Sequence, residues 1–200
     1  MKLLKEFITK NKTAFIAAAV IFFAGSVAGA VSSCRISPSE ADELKEYLRP
    51  YLNFTTASGV RPGAIFSADI VNHMKFLTAA LVCSVSVYLV PVFAFVLGLK
   101  GYQLGFATGF VSANFGMGGT ALAVSSTLVS YCFAIPLYWL IFVLLLRFSA
   151  QRGTRAHMGT KERKREYPAY FMQLFVVFSL LCLSAGLGAL ITPCIVDFMN

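Results

Sequence analysis

The sequence predicts an all-α fold: a polytopic integral membrane protein with about five transmembrane helices and one extracytoplasmic helical loop between the first and second spans. Three observations carry this. The 200 residues are 58% hydrophobic and only 13% charged, with a mean hydropathy of +0.73, too apolar for a water-soluble domain whose surface would need far more charge. Charge-free apolar runs recur along the chain, most near the roughly 20 residues that a spanning helix requires. The basic residues are concentrated in two short regions, as topology demands of a membrane protein.

The elements follow in order. Lys2, Lys5, Lys10 and Lys12 precede a charge-free run that forms the first span, about 13–32. Val31-Ser32-Ser33-Cys34 has the form of a lipoprotein cleavage site, but a polytopic protein gains little from a lipid anchor, and Cys34 is expected as a free thiol at a helix end. Residues 34–76 are the one extended polar region, with charges that nearly cancel, which places them outside as an extracytoplasmic loop. Within it, Ser37-Pro38-Ser39-Glu40 has capping-box spacing with proline at the first helical position, so a short helix is expected to about Leu48, ending at Pro50. Gly59 and Pro62-Gly63 mark a turn, and a second helix from Ser67 to Phe76 leads into the membrane.

The second span is expected over 77–99 with a kink at Pro91, followed by a tight inner turn at Lys100-Gly101 and a short third segment over 102–116. Gly118-Gly119 supplies an outer turn. The fourth span covers 121–146 with Pro136 as a second kink site, and the fifth 170–191. Between them, 147–168 is strongly basic and therefore cytoplasmic; Arg152, Arg155, Lys161, Arg163, Lys164 and Arg165 are its topology determinants. This charge pattern requires an odd number of spans, with a cytoplasmic amino terminus and an extracytoplasmic carboxyl terminus. The whole chain reads as a single membrane domain.

The chemistry inventory is mostly absences. No Asp, Glu, Lys, Arg or His falls inside these spans, which disfavours proton-coupled transport. His73 and His157 fall in loops on opposite membrane faces, so they cannot share a metal or catalytic site. The five cysteines show no metal-ligand spacing. No catalytic residue, cofactor site or metal site is expected, and the protein is not expected to be an enzyme. The Lys161–Arg165 run resembles a nucleic-acid patch, but beside a span it serves anionic lipid and orientation; membrane lipids are expected partners and nucleic acid is not.

The most specific pattern is Gly101, Gly105, Gly109 and Ala113, a small residue at every fourth position along one helical face. Such a face permits close helix approach, either against the protein's own spans or against a partner or second copy. Asn114, beside it, is expected to bond a neighbouring helix or reach the headgroup region.

Leu99-Lys100-Gly101-Tyr102-Gln103-Leu104-Gly105-Phe106-Ala107-Thr108-Gly109-Phe110 resembles the core signature of the stage II sporulation protein M family, a Leu-Lys-Gly step followed by Gly-Phe-x-x-Gly-Phe. Gly116, Gly119, Ile135-Pro136 and Ile191-Thr192-Pro193 are similar to further family landmarks, in order. Val129, Ser130 and Tyr131 stand where members often carry Pro-Gln-Asn, and Gly118 where lysine is common. The resemblance implies a scaffold in the cell membrane, septal during sporulation, that anchors two peptidoglycan-degrading partners, stage II sporulation proteins D and P, during engulfment of the forespore. A small membrane permease or channel subunit is the alternative reading.

Overall fold

The computed structural model describes residues 11–46, 62–84, 86–154 and 160–199. Side-chain surroundings are described over 11–46, 66–84, 86–114, 131–150 and 170–190. The described residues form helices and no strand: α1 (Lys12–Ser33), a short α2 (38–46), α3 (Pro62–Cys83), a 3-10 turn (Val87–Leu89), α4 (Val90–Thr154) and α5 (Thr160–Met199). Helices satisfy every backbone polar group within one segment, which hydrocarbon requires. Three buried serine hydroxyls follow the same rule by donating to carbonyls one turn back. Ser33 donates to Ala30 at 2.7 Å, Ser84 to Leu81 at 2.6 Å and Ser184 to Leu181 at 2.8 Å.

α4 is helical over 65 residues, yet it doubles back. The rings of Phe93 and Phe142 stack at 6.2 Å, whereas a straight helix would put them about 73 Å apart at 1.5 Å per residue. The chain therefore reverses between Asn114 and Tyr131, and α4 comprises two antiparallel arms, 90–114 and 131–154. The point equidistant from Phe93 and Phe142 lies near residue 118, where Gly118-Gly119 was expected to turn.

Packing partners fix the remaining directions. Phe22, Ser26 and Ala30 of α1 meet Gly101, Gly105 and Gly109 in that order, so α1 runs parallel to the first arm. Phe148 and Tyr170 stack at 4.2 Å, so α5 returns alongside the second arm. α3 starts with Phe66 near Gly186 of α5 and ends with Ser84 beside Tyr170, so it runs antiparallel to α5. Five helical segments thus cross the bundle in alternating sense. One end gathers Lys12, the Ser84–Leu89 connection and Arg147; the other gathers α2, Pro62, Asn114 and Leu190.

Four stretches are long and apolar enough to cross a membrane: Lys12–Ser33, Val87–Asn114, Tyr131–Ala150 and Tyr170–Leu190. The fifth crossing segment, α3, carries Asp69, His73 and Lys75 and lacks that uniform apolarity. Outward faces are apolar: Val20, Phe23 and Val27 on α1, and Met172, Phe175 and Leu183 on α5, are exposed. In water this would be an aggregation surface; here it faces lipid. The core is Phe22, Phe76, Phe93, Leu97, Tyr138, Phe142 and Leu181.

Two boundaries differ from expectation. The expected 77–99 span straddles a break at Ser84–Leu89, and no turn forms at Lys100-Gly101, where α4 runs through. Apolarity placed those boundaries, and it cannot see that α3 enters the bundle with its polar face turned inward. Pro91 consequently sits in the first turn of α4, where a missing N–H leaves no bond unmade, and Pro136 alone lies inside the helix. In the loop, the capping box forms at the start of α2. The Ser37 hydroxyl and N–H donate to Glu40 Oε2 at 2.7 and 3.2 Å, and Glu40 N–H reaches Ser37 Oγ at 3.4 Å. The expected end of that helix at Leu48 to Pro50 lies outside the described residues.

Candidate functional site

Two constructions flank the first arm of α4. The first is a glycine seam with α1. A Cβ added to Gly101 would fall on the Phe22 carbonyl oxygen, and one added to Gly105 on that of Ser26. At Gly109 it would meet the Ser33 hydroxyl and approach Ala30 Cα to 3.2 Å. The relation is reciprocal, because a Cβ at Gly25 or Gly29 would fall on the carbonyl oxygens of Gly98 or Tyr102. Backbone therefore touches backbone along three turns, and Ser26 Oγ donates to the Gly101 carbonyl at 3.2 Å. This face is filled by α1 of the same chain. Ala113 is exposed one turn beyond the seam, and Asn114 Nδ2 donates to Phe110 of its own helix at 2.9 Å.

The second construction is a polar centre between α3 and both arms of α4. His73 is buried, with Nδ1 2.8 Å from the Tyr138 hydroxyl, itself fully buried. Lys100 Nζ donates to Asn72 Oδ1. Tyr131 of the second arm lies near Asn72 and Asp69. Asp69, Asn72, His73 and Phe76 share one face of α3 by i, i+3, i+4, i+7 spacing, and that face is directed inward. Toward the Ser84 end, the centre is closed by aromatic rings: Phe76 lies 4.6 Å from Tyr138 and 5.0 Å from Phe93.

The polar centre corrects two expectations. Ionisable groups do lie within the bundle, with Lys100 about 20 Å along the helix from either end of Val87–Asn114. His73 is a core residue of α3, not a loop residue. The overlooked signal is the period-3.6 polar face of 69–76, visible once α3 is extended back to Pro62. His157 and Arg155 lie outside the described residues; Arg152 and Lys161, Arg163, Lys164 and Arg165 are helical. Among the described residues no three His, Cys, Asp or Glu converge, and Cys34, Cys83, Cys132 and Cys182 are free thiols.

Comparison with curated proteins and with solved structures gives no match. A family model described as stage II sporulation protein M matches residues 18–193, from α1 through both arms of α4 to the far end of α5, and the chain belongs to that family.

Proposed function

We propose that this sporulation-related membrane protein is a scaffold. It is read as anchoring septal peptidoglycan-degrading proteins, stage II sporulation proteins D and P by the family's implication, during engulfment of the forespore. The observation that carries the reading is the family match over 18–193, joined to a bundle that presents helix faces and the short helix α2. In this reading the protein cuts nothing itself. By the positive-inside rule the end bearing Lys12 and Arg147 is cytoplasmic, which puts α2, Asn114 and Leu190 on the side where cell wall is remodelled. The glycine seam is occupied by α1, so the recruiting surface is assigned to the outer end and the lipid-facing helices. Deleting the gene in its host and following sporulating cells by membrane-dye microscopy tests this. Normal growth with septa that persist or bulge without engulfment is expected; completed engulfment overturns the role.

A permease or channel subunit is the second reading, and the polar centre favours it, since charge at membrane depth commonly lines ion and substrate paths. Ion flux through liposomes holding the purified protein separates the two, because a scaffold gives none.

A further inference from the structure

Lys100 of α4 donates to Asn72 of α3, and Lys75 stands one turn beyond Asn72, at i+3 on the same helix. Lys75 is exposed on the flank of the bundle, about 12 Å along the helix from the Cys83 end of α3. Lys100 is half-buried at mid-span, deeper than a lysine side chain reaches by snorkelling. Among the described residues neither ammonium has a carboxylate within 4 Å, the one ion pair being Lys45–Asp42 at 3.0 Å on α2. Lys100 spends one of its three donors on the neutral Asn72. Asp69, the one carboxylate on α3, lies one turn before Asn72 on the inward face of that helix. An ammonium in hydrocarbon without a counter-charge is expensive, and lipid supplies no anion at that depth.

We propose that Lys75 and Lys100 form a docking site for a transmembrane helix of a partner protein that carries a carboxylate at membrane depth. The inference rests on the scaffold reading and names the chemistry of its partner. Charge complementarity selects the occupant. An approaching acidic side chain meets Lys75 first, on the exposed flank, and then the free donors of Lys100, and it completes two ion pairs that the bundle alone lacks. The apolar surfaces beside Lys75, Val71 and Val82 among them, are exposed and supply the packing that helix association in lipid needs.

The test uses the full-length protein, fluorophore-labelled in lipid vesicles, with synthetic single-span leucine peptides as probes. One peptide carries a central glutamate, one a central lysine and one leucine throughout. Energy transfer should show the glutamate peptide binding about tenfold more tightly than the all-leucine peptide and the lysine peptide no better. K75M, at an exposed position without a described partner, should fold normally and lose most of that preference; K75M/K100M should lose all of it. Equal binding of the glutamate and all-leucine peptides overturns the site, as does a preference that survives the double substitution. Anion flux through vesicles that K100M abolishes also overturns it, in favour of a path. Normal engulfment in the deletion strain together with an intact glutamate preference would refute the scaffold role and leave the docking chemistry standing, so the two failures are distinguishable.

Discussion

Gly101 and Lys100 are neighbours in sequence and belong to opposite kinds of structure. Gly101 faces α1 across a seam in which backbone meets backbone and there is no side chain to adjust. Lys100 faces α3 across a contact made of polar tips. Lipid offers no hydrophobic force to hold helices together, so two devices remain, close van der Waals packing and hydrogen bonding between side chains. The protein uses one on each flank of the same arm. The seam tolerates no change of volume, whereas the polar centre tolerates shape changes and is sensitive to loss of a donor or acceptor.

The sharpest way to break this contrast is Gly105→Leu. Its Cβ alone coincides with the Ser26 carbonyl, and backbone cannot move aside as a flexible side chain can, so α1 must separate from α4. Destabilisation of about 3 kcal/mol or more is expected, the upper end of overpacking costs. Thermal unfolding and size-exclusion behaviour in detergent would show a large drop in midpoint or no folded protein. Gly186→Ala is the control. The nearest atom to its new Cβ is a Phe66 ring carbon at 3.8 Å, an ordinary contact, and the midpoint should shift by no more than about 0.5 kcal/mol equivalent. If Gly105→Leu unfolds like the wild type, the seam is not what joins α1 to α4.

The polar flank should respond to chemistry at constant volume. Tyr138→Phe keeps the ring packed at a tilt against Phe76 but removes the hydroxyl 2.8 Å from His73 Nδ1, leaving a buried nitrogen unpaired. A loss of about 1 kcal/mol is expected, typical for one hydrogen bond between transmembrane helices. A cycle with His73→Phe measures the coupling directly. A coupling near zero would mean that the pair adds no net stability, and the seam and aromatic core would then account for the bundle without it.

The same contrast decides what the sequence made legible. Gly101, Gly105 and Gly109 repeat every fourth residue, and a repeat on one helical face survives any error of a few residues in the helix boundary. The apolar runs of α1 and the second half of α5 were equally plain, because uniform apolarity needs no partner to interpret it. The polar centre was hidden by that same criterion. Asp69, His73 and Lys100 read as loop or boundary residues when span limits are drawn where charge begins, and this moved the break from Ser84–Leu89 to Lys100-Gly101. Charge inside a bundle is visible only when its partners are known, and Asn72, Tyr131 and Tyr138 come from a helix and an arm far apart in sequence.

The smallest expected effect lies outside both flanks, at the start of α2, and it extends the comparison to a site bathed in water. Glu40 is held below the ordinary carboxylate range by hydrogen bonds from the Ser37 hydroxyl and then from the Ser37 N–H. A carboxyl whose folded pKa is depressed adds stability above its unfolded value, and that stability disappears as pH falls through the lowered one. Amide exchange over 38–46 should therefore be slowest near neutral pH relative to intrinsic rates and should lose protection in acid, with no matching change in α1 or the first arm of α4. Ser37→Ala should remove most of this pH dependence, because the hydroxyl both donates to Glu40 and accepts from its N–H. An α2 whose protection ignores both the acid and the substitution would be held by burial, as at Ala41, and not by its own cap.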